Sequence, residues 1–384
     1  MSSAKDFPHI RQTLTVLGEP GSRYRVATPA AIVDLDILER NAATMRCALD
    51  GKSVALRPHA KSHKCSRLAH LQIAAGAVGI CCAKPGEAEA LAAAGIQSIL
   101  ITSPVVAADT AERVASLAKN IADLAVVVDH PAAVDRLGNA ARQTSIVLPV
   151  LIDVDVGQGR TGVIHAEAAR LVAQAISRQT FLKLRGVQGY GGDWQHVAGA
   201  KPRHAMAQEG MRKLSQVIDS LRTEGFPVSV ITGGGTGTLQ ADLALGVLNE
   251  IQPGSYIFMD RQYHDALDQD DGPRFETSLF VQARVVSTNQ ADYVTVDSGL
   301  KAFSTEGPAP KPASRGFEGS KYHFFGDEYG RLSRPAGMEV SLGDRIEFEV
   351  PHCDPTIDRY DVLHLVRGDT LLEIVPIEAR GRSQ

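Results

Sequence analysis

The sequence predicts an α/β chain: a (β/α)8 barrel of the TIM type followed by a second, antiparallel β domain. Three observations carry this. Over the first two thirds, short β-branched or apolar runs alternate with longer stretches rich in Ala, Leu, Glu and Arg, the pattern of βα units. Eight such runs occur with starts 20 to 44 residues apart, which leaves room for one strand, one helix and two loops each. From about Ser278 the texture changes to the runs SLFVQARVVS, DYVTVDSG, DRIEFEVPH and DVLHLVRG, separated by Gly, Pro and Asp; this reads as antiparallel sheet. A doubly wound open sheet is the alternative for the first part.

Taken in order, the barrel strands are expected to start at Ala31 (AIVDLD), Val54 (VALRPH), Val78 (VGICCA), Ser98 (SILITS), Leu124 (LAVVVD), Leu148 (LPVLIDVD), Leu184 (LRGVQGY) and Val228 (VSVITGG). The segments between them carry helix punctuation. Residues 84–94 place Pro85 at the start, acids in the first turn and Gly95 after the end, as helix termini require. Residues 301–319, rich in Gly, Pro and Ser, read as a long surface loop.

Composition bounds the function. With 384 residues, 44% hydrophobic and 22% charged, the chain has the make-up of a folded globular protein large enough for two domains or one extended one. Its 40 Lys and Arg against 44 Asp and Glu give a net charge of −4. That offers no basic footprint for nucleic acid. Five cysteines, an odd number, fit a reducing cytoplasm better than a disulfide framework. The N-terminus lacks a basic segment followed by an unbroken apolar run, and nowhere do eighteen apolar residues run together, so neither a signal peptide nor a membrane span is expected.

In a barrel the site lies at the C-terminal ends of the strands. The second expected strand ends in Arg57-Pro58-His59-Ala60-Lys61-Ser62-His63-Lys64. A lysine crowded by cations and partly desolvated is expected to have a lowered pKa and to attack a carbonyl, although a solvated basic loop has the same composition. The sixth ends in DVDVGQGRTG, where Arg160 can donate hydrogen bonds inward. The eighth ends in TGGGTGT around Gly234, Gly235 and Thr236, and Gly254-Ser255-Tyr256 follows a little later; both turns offer N–H and hydroxyl groups to a phosphate. The seventh exits through Tyr190 to His196, a proton-transfer candidate near neutral pH. Near the C-terminus, Pro351-His352-Cys353-Asp354-Pro355 ends a strand. In extended chain His352 and Asp354 share a side and suit one divalent ion while Cys353 faces away. Each feature alone also has a bland reading as a surface loop or turn.

Together these segments resemble the D-threonine aldolase family of fold-type III pyridoxal-phosphate enzymes, whose relatives include D-serine dehydratase and the 3-hydroxyaspartate aldolases and dehydratases. The resemblance spans nearly the whole chain: TPAAIVDLDILERN, LRPHAKSHKC, GICCAKPGEAEAL, DVDVGQGRTGV, GVQGY, ITGGGTGT, QPGSYIFMD, VDSGLK, PHCDPT and EARG occur in the same order. It implies that Lys61 is the Schiff-base lysine and that Arg160 and Tyr190 flank the pyridoxal 5'-phosphate ring. It further implies that Gly234, Gly235, Thr236, Gly254, Ser255 and Tyr256 hold the phosphate. By the same resemblance His196 stands near the substrate hydroxyl, and His352 and Asp354 bind a divalent metal, Mn2+ foremost, with Mg2+, Co2+ or Zn2+ as alternatives.

The implied activity is retro-aldol cleavage of D-3-hydroxy-α-amino acids to glycine and an aldehyde. A D-serine or 3-hydroxyaspartate dehydratase, or a 3-hydroxyaspartate aldolase, is the alternative. The dehydratases resemble His-x-Cys ligation, whereas His352-Cys353-Asp354 has the aldolase-like His-x-Asp form. Two departures from the family pattern bear on the substrate: Ala83 replaces a glutamine and Tyr329 a histidine. The resemblance also implies a homodimer, with a barrel at residues 27–270 and a β domain made of 1–26 plus 271–384.

Overall fold

The computed structural model describes residues 10–335 and 337–384; the first nine residues of the expected 1–26 segment lie outside them. The run AIVDLD, expected to open the barrel, forms β1 (Ala30–Asp34) but belongs to the other sheet. It pairs antiparallel with β10 (Leu279–Ser287) and parallel with β16 (Val362–Arg367). All five of its residues are buried, and a strand covered on both faces reads as one apolar run whichever sheet holds it.

The barrel strands are β2 (Ala55–Leu56), β3 (Ile80–Cys82), β4 (Ser98–Ile101), β5 (Asp123–Val128), β6 (Leu148–Val154), β7 (Leu182–Gly189), β8 (Val230–Gly233) and β9 (Glu250–Ile251). They pair in parallel in the order β2-β9-β8-β7-β6-β5-β4-β3. The ring closes where Val78 and Cys81 donate to the carbonyls of Leu56 and Pro58 at 2.8 and 2.9 Å and where His59 bridges Cys81. The eighth barrel strand is therefore β9, not the run from Val228. That recount puts the glycine-rich turn after the seventh strand and Gly254-Ser255-Tyr256 after the eighth, where barrels build phosphate sites.

The other end of the barrel is plugged by a buried guanidinium. Arg57 donates to Glu250 Oε2 at 3.0 Å and to Ser98 Oγ at 2.9 Å, and Arg185 pairs with Asp123 at 2.7 Å beside it. Charge inside a core persists only when paired in this way.

The second sheet contains β10, β1, β16 and β17 (Thr370–Pro376), flanked by β11 (Tyr293–Val296), β13 (Tyr322–Phe324), β14 (Gly330–Ser333) and β15 (Arg345–Glu349). The expected long loop over 301–319 is partly structured. It contains β12 (Lys311–Pro312), paired with β15, and it sends Phe303 into an aromatic cluster with Tyr322, Phe324 and Phe348 at centroid distances of 5.6 to 6.4 Å. Glycine and proline content marks turns but says nothing of one anchoring phenyl ring. Among the described residues no helix is long and apolar enough to cross a membrane.

One buried ion cluster ties the N-terminal segment to this sheet. Arg23 pairs with Asp34 at 2.9 Å and Glu347 at 2.8 Å and donates to Gly368 O. Burial works against its charge, but Glu347 and Asp34 outweigh it and hold the guanidinium above its ordinary range. Truncating Arg23 strands two carboxylates in the interior. Arg23→Ala is expected to cost about 3–5 kcal/mol in urea unfolding; a change below about 1 kcal/mol would show that the cluster is solvated.

Candidate active site

The strand ends converge on a cavity of about 110 Å3 lined by His59, Lys61, Ala83, Thr102, Ser103, Arg160, Gln188, Tyr190 and Gln252. Lys61 sits in a short 3-10 turn, Ala60–Ser62, which follows the first barrel strand. Its backbone N–H bonds His59 Nδ1 at 3.2 Å, while His59 Nε2 meets Thr102 Oγ1 at 3.0 Å. The Tyr190 ring lies 5.7 Å from Lys61 Nζ and 5.6 Å from the Arg160 guanidinium carbon.

Below them runs a chain of satisfied polar groups. Gln252 donates to Gln188 Oε1 and Thr232 Oγ1, Gln188 donates to Asp153 Oδ1, and Thr161 donates to Asp153 Oδ2. Sequence reasoning did not single out these glutamines, because an inward-facing amide in an apolar strand has no local signature. Fully satisfied networks of this kind rigidify the groups they join.

The expected depression of the Lys61 pKa is not found. Tyr190 raises it, burial opposes, and the Asp354 carboxylate at 3.4 Å adds to the rise, so the ammonium is held well above the usual lysine range. The other cations of the motif are directed elsewhere. Lys64 pairs with Asp358 at 3.2 Å and donates to backbone carbonyls, and buried His63 bonds Gln72. Crowding along the sequence is not crowding in space.

Asp354 reaches Lys61 from the second domain. His352 keeps extended backbone and is followed by a helical turn, Cys353–Ile357, so the motif is a strand-to-helix corner and not the continuous strand expected. The two ligand candidates still converge: His352 Nε2 and Asp354 Oδ2 are 4.0 Å apart. An ion with bonds of about 2.1 Å spans that gap. Cys353 does not face wholly away, since its thiol donates to Asp354 Oδ1 at 3.3 Å. Burial pushes that thiol well above its normal range, which makes it a poor ligand. Burial also disfavours the charged form of Asp354, but Lys61, His352 and Lys64 outweigh it and hold the carboxyl well below the usual range.

Asp260 is the functional residue that sequence reasoning missed. Asp260, His352 and Cys353 bring ligand atoms within 4.8 Å of one another, yet Asp260 Oδ2 already accepts from His352 Nδ1 and from Cys353 N–H, both at 2.9 Å. A carboxylate on one ring nitrogen fixes the other for coordination, so Asp260 orients His352 and turns its Nε2 toward Asp354. The available signal was its place one turn after Gly254-Ser255-Tyr256, where it caps helix Arg261–Ala266.

His196 stands with its ring 5.7 Å from His352 and 4.4 Å from Tyr263, and its Nε2 is buried without a partner. Burial, with His352 adding to it, lowers its pKa to about 4. It is a neutral imidazole at pH 7, not the near-neutral titrating group expected.

In the phosphate turns, Tyr256 N–H donates to Thr236 Oγ1 at 3.0 Å, joining the two loops. The Gly235 and Gly237 N–H groups are taken by Thr238 Oγ1 and Gln195 Oε1. Among the described residues, Gly234 and Thr236 N–H have no protein acceptor, so they are free to donate to an anion while Gly235 N–H is engaged. The cavity, the lysine at its edge and these unspent donors fit a phosphorylated aldehyde cofactor, and the His352–Asp354 gap fits a divalent ion. Ala83 lines the cavity, while Tyr329 is exposed and outside the lining.

Behind the turn, Thr238 Oγ1 donates to Asp242 Oδ2 at 2.6 Å, and burial pushes the Asp242 carboxyl from 3.8 up to about 7. An acid with a raised folded-state pKa stabilises the fold below its unfolded value, and that contribution is lost as pH rises through the folded value. Relative to wild type, Asp242→Asn is therefore expected to gain stability progressively from about pH 4 to about pH 7. Urea midpoints of both proteins across that range test it; a pH-independent difference would contradict the raised value.

Comparison with known proteins agrees with this geometry. The family model described as "Alanine racemase, N-terminal domain" matches residues 33–262, and that described as "Putative serine dehydratase domain" matches 278–366. The chain is 39% identical over 370 residues to D-threonine aldolase of Arthrobacter sp, covering 95% of this chain and 96% of that one. It is 33% identical to 3-hydroxy-D-aspartate aldolase of Paracoccus denitrificans (strain Pd 1222), covering 100% of both. The crystal structure of D-threonine aldolase from Filomicrobium marinum superposes with a TM-score of 0.89 at 38% identity, covering 94% of this chain and 97% of that one.

Proposed function

The chain belongs to the D-threonine aldolase family, and from that premise we propose that it cleaves D-3-hydroxy-α-amino acids, D-threonine foremost, to glycine and an aldehyde. Pyridoxal 5'-phosphate and a divalent ion, Mn2+ foremost, are its cofactors. The observation that carries this reading is the convergence of Lys61 Nζ and His352 Nε2 on Asp354, with the unpartnered His196 ring 5.7 Å from that of His352. It sets an amine, an ion seat and a proton acceptor side by side.

When bound, the pyridoxal ring supplies an electron sink for the pair left at Cα, and the ion supplies a Lewis acid beside the 3-hydroxyl. The protein's own groups do the rest. Lys61 is the amine that would hold the cofactor aldehyde, with Arg160 and Tyr190 walling the ring. Asp260 takes the Nδ1–H of His352, which leaves Nε2 as the electron pair facing Asp354. His196, uncharged at neutral pH, accepts the hydroxyl proton at Nε2. Arg160 and Lys61 are the cations of the lining. The His-x-Asp spacing favours cleavage over dehydration.

Purified protein with D-threonine, pyridoxal phosphate and Mn2+ is expected to yield glycine and acetaldehyde; 2-oxobutanoate and ammonia instead would overturn the aldolase reading. Lys61→Ala should abolish the Schiff-base absorbance. His352→Ala and Asp354→Ala should lose metal-dependent turnover while keeping that absorbance, and turnover that survives EDTA would refute the ion seat. Asp260→Asn should weaken Mn2+ binding about 10–100-fold with the absorbance intact, read by titration of turnover against Mn2+.

A further inference from the structure

The turn that carries His196 is fastened by its neighbours. Gln195 is 1% exposed, and its amide crosses to the glycine-rich turn. Oε1 accepts from Gly237 N–H at 2.9 Å, and Nε2 donates to Thr238 Oγ1 at 3.0 Å and to Gly191 O at 3.1 Å. Thr238 Oγ1 in turn accepts from Gly235 N–H at 3.3 Å. The contact is too close for side chains on the turn: a Cβ at Gly235 would overlap the Gln195 amide, and one at Gly237 would overlap the Gln195 backbone carbonyl. These two glycines therefore serve the Gln195 junction as much as any phosphate. On its other side the His196 turn is wedged by Trp194, whose ring fills the space where Gly210 lacks a side chain. Arg203, fully buried, donates to Val197 O and Ala266 O and pairs with Asp271.

We propose that Gln195 is a positioning residue that couples the phosphate seat to His196. An anion held by the Gly234 and Thr236 N–H groups orders the glycine-rich turn, and the Gln195 amide transmits that order one residue along the chain to the imidazole. Seating of the cofactor's phosphate then tightens the turn that holds the proton acceptor. This inference rests on the proposed function for its two ends, the phosphate seat and the role of His196. The junction between them is read from hydrogen bonds and close packing alone.

Trp194 is the single tryptophan, so its fluorescence reports this turn. Full-length protein freed of cofactor is titrated with inorganic phosphate, which neither absorbs at the emission wavelength nor reacts with Lys61, and acrylamide quenching of Trp194 is followed. Quenching is expected to fall as phosphate binds wild type and to stay unchanged in Gln195→Ala. The same variant should bind pyridoxal phosphate about tenfold more weakly and lose about tenfold in kcat with little change in KM. It should add no further loss in kcat when placed in a His196→Ala background. Thr238→Val should reproduce the loss of phosphate response, and Thr238→Ser should restore it, which separates coupling from a folding defect. Phosphate protection of Trp194 retained in both Gln195→Ala and Thr238→Val, or kcat losses additive with His196→Ala, would overturn the coupling. Wild type that binds pyridoxal phosphate and turns over while Trp194 ignores phosphate would overturn the coupling and leave the functional reading standing. Wild type that fails to bind pyridoxal phosphate would overturn both.

Discussion

Asp260 is the residue on which the rest of the site depends. Fully buried between the barrel and the second domain, its carboxylate divides its two oxygens between them. Oδ1 accepts from Tyr263 N–H at 3.0 Å and so starts helix Arg261–Ala266, which carries the aromatic partner of His196. Oδ2 accepts from His352 Nδ1 and Cys353 N–H, which sets the corner that brings Asp354 to Lys61. A buried carboxylate with three charge-assisted or backbone donors is both tightly held and directional. Without it the imidazole loses its orientation and the proposed ion seat loses its geometry together.

The barrel is polar at both ends for different reasons. At the closed end Arg57, Glu250 and Asp123 neutralise one another inside the core, a structural solution to burying charge. At the open end the charges pair across domains, Lys61 with Asp354 and Lys64 with Asp358, and the cavity stays accessible. The same geometry moves the two proton-handling groups in opposite directions. Lys61 gains Tyr190 and a carboxylate and is held charged, while His196 gains burial and another imidazole and is held neutral. A cationic lysine and an uncharged histidine therefore stand within one site at neutral pH, a difference their ordinary acidities set and their environments widen.

Much of this was readable in the sequence. Seven of the eight expected barrel strands, the change to antiparallel sheet after Ser278, and the family resemblance all rested on patterns that are local in the chain. Apolar runs mark strands because burial acts on each run separately, and a strand end exposes whatever follows it. That is why Lys61, Arg160, Tyr190 and His196 could be chosen from their positions after strands. The miscount of the first and eighth strands has the same origin: β1 and a barrel strand have the same apolar texture, so a count that begins at β1 reaches eight before β9.

What the sequence determined by itself, then, was the kind of fold, the order of its parts and the residue types gathered at the strand ends. Tertiary structure alone decided which of them meet. The Lys61–Asp354 contact joins residues 293 positions apart and the His352–Asp260 bond joins residues 92 apart. Neither partner carries a local sign of the other, since electrostatic field and hydrogen-bond geometry fall off through space and not along the chain. The raised lysine, the lowered histidine and the amide of Gln195 laid between two turns all follow from that folding of distant segments onto one cavity.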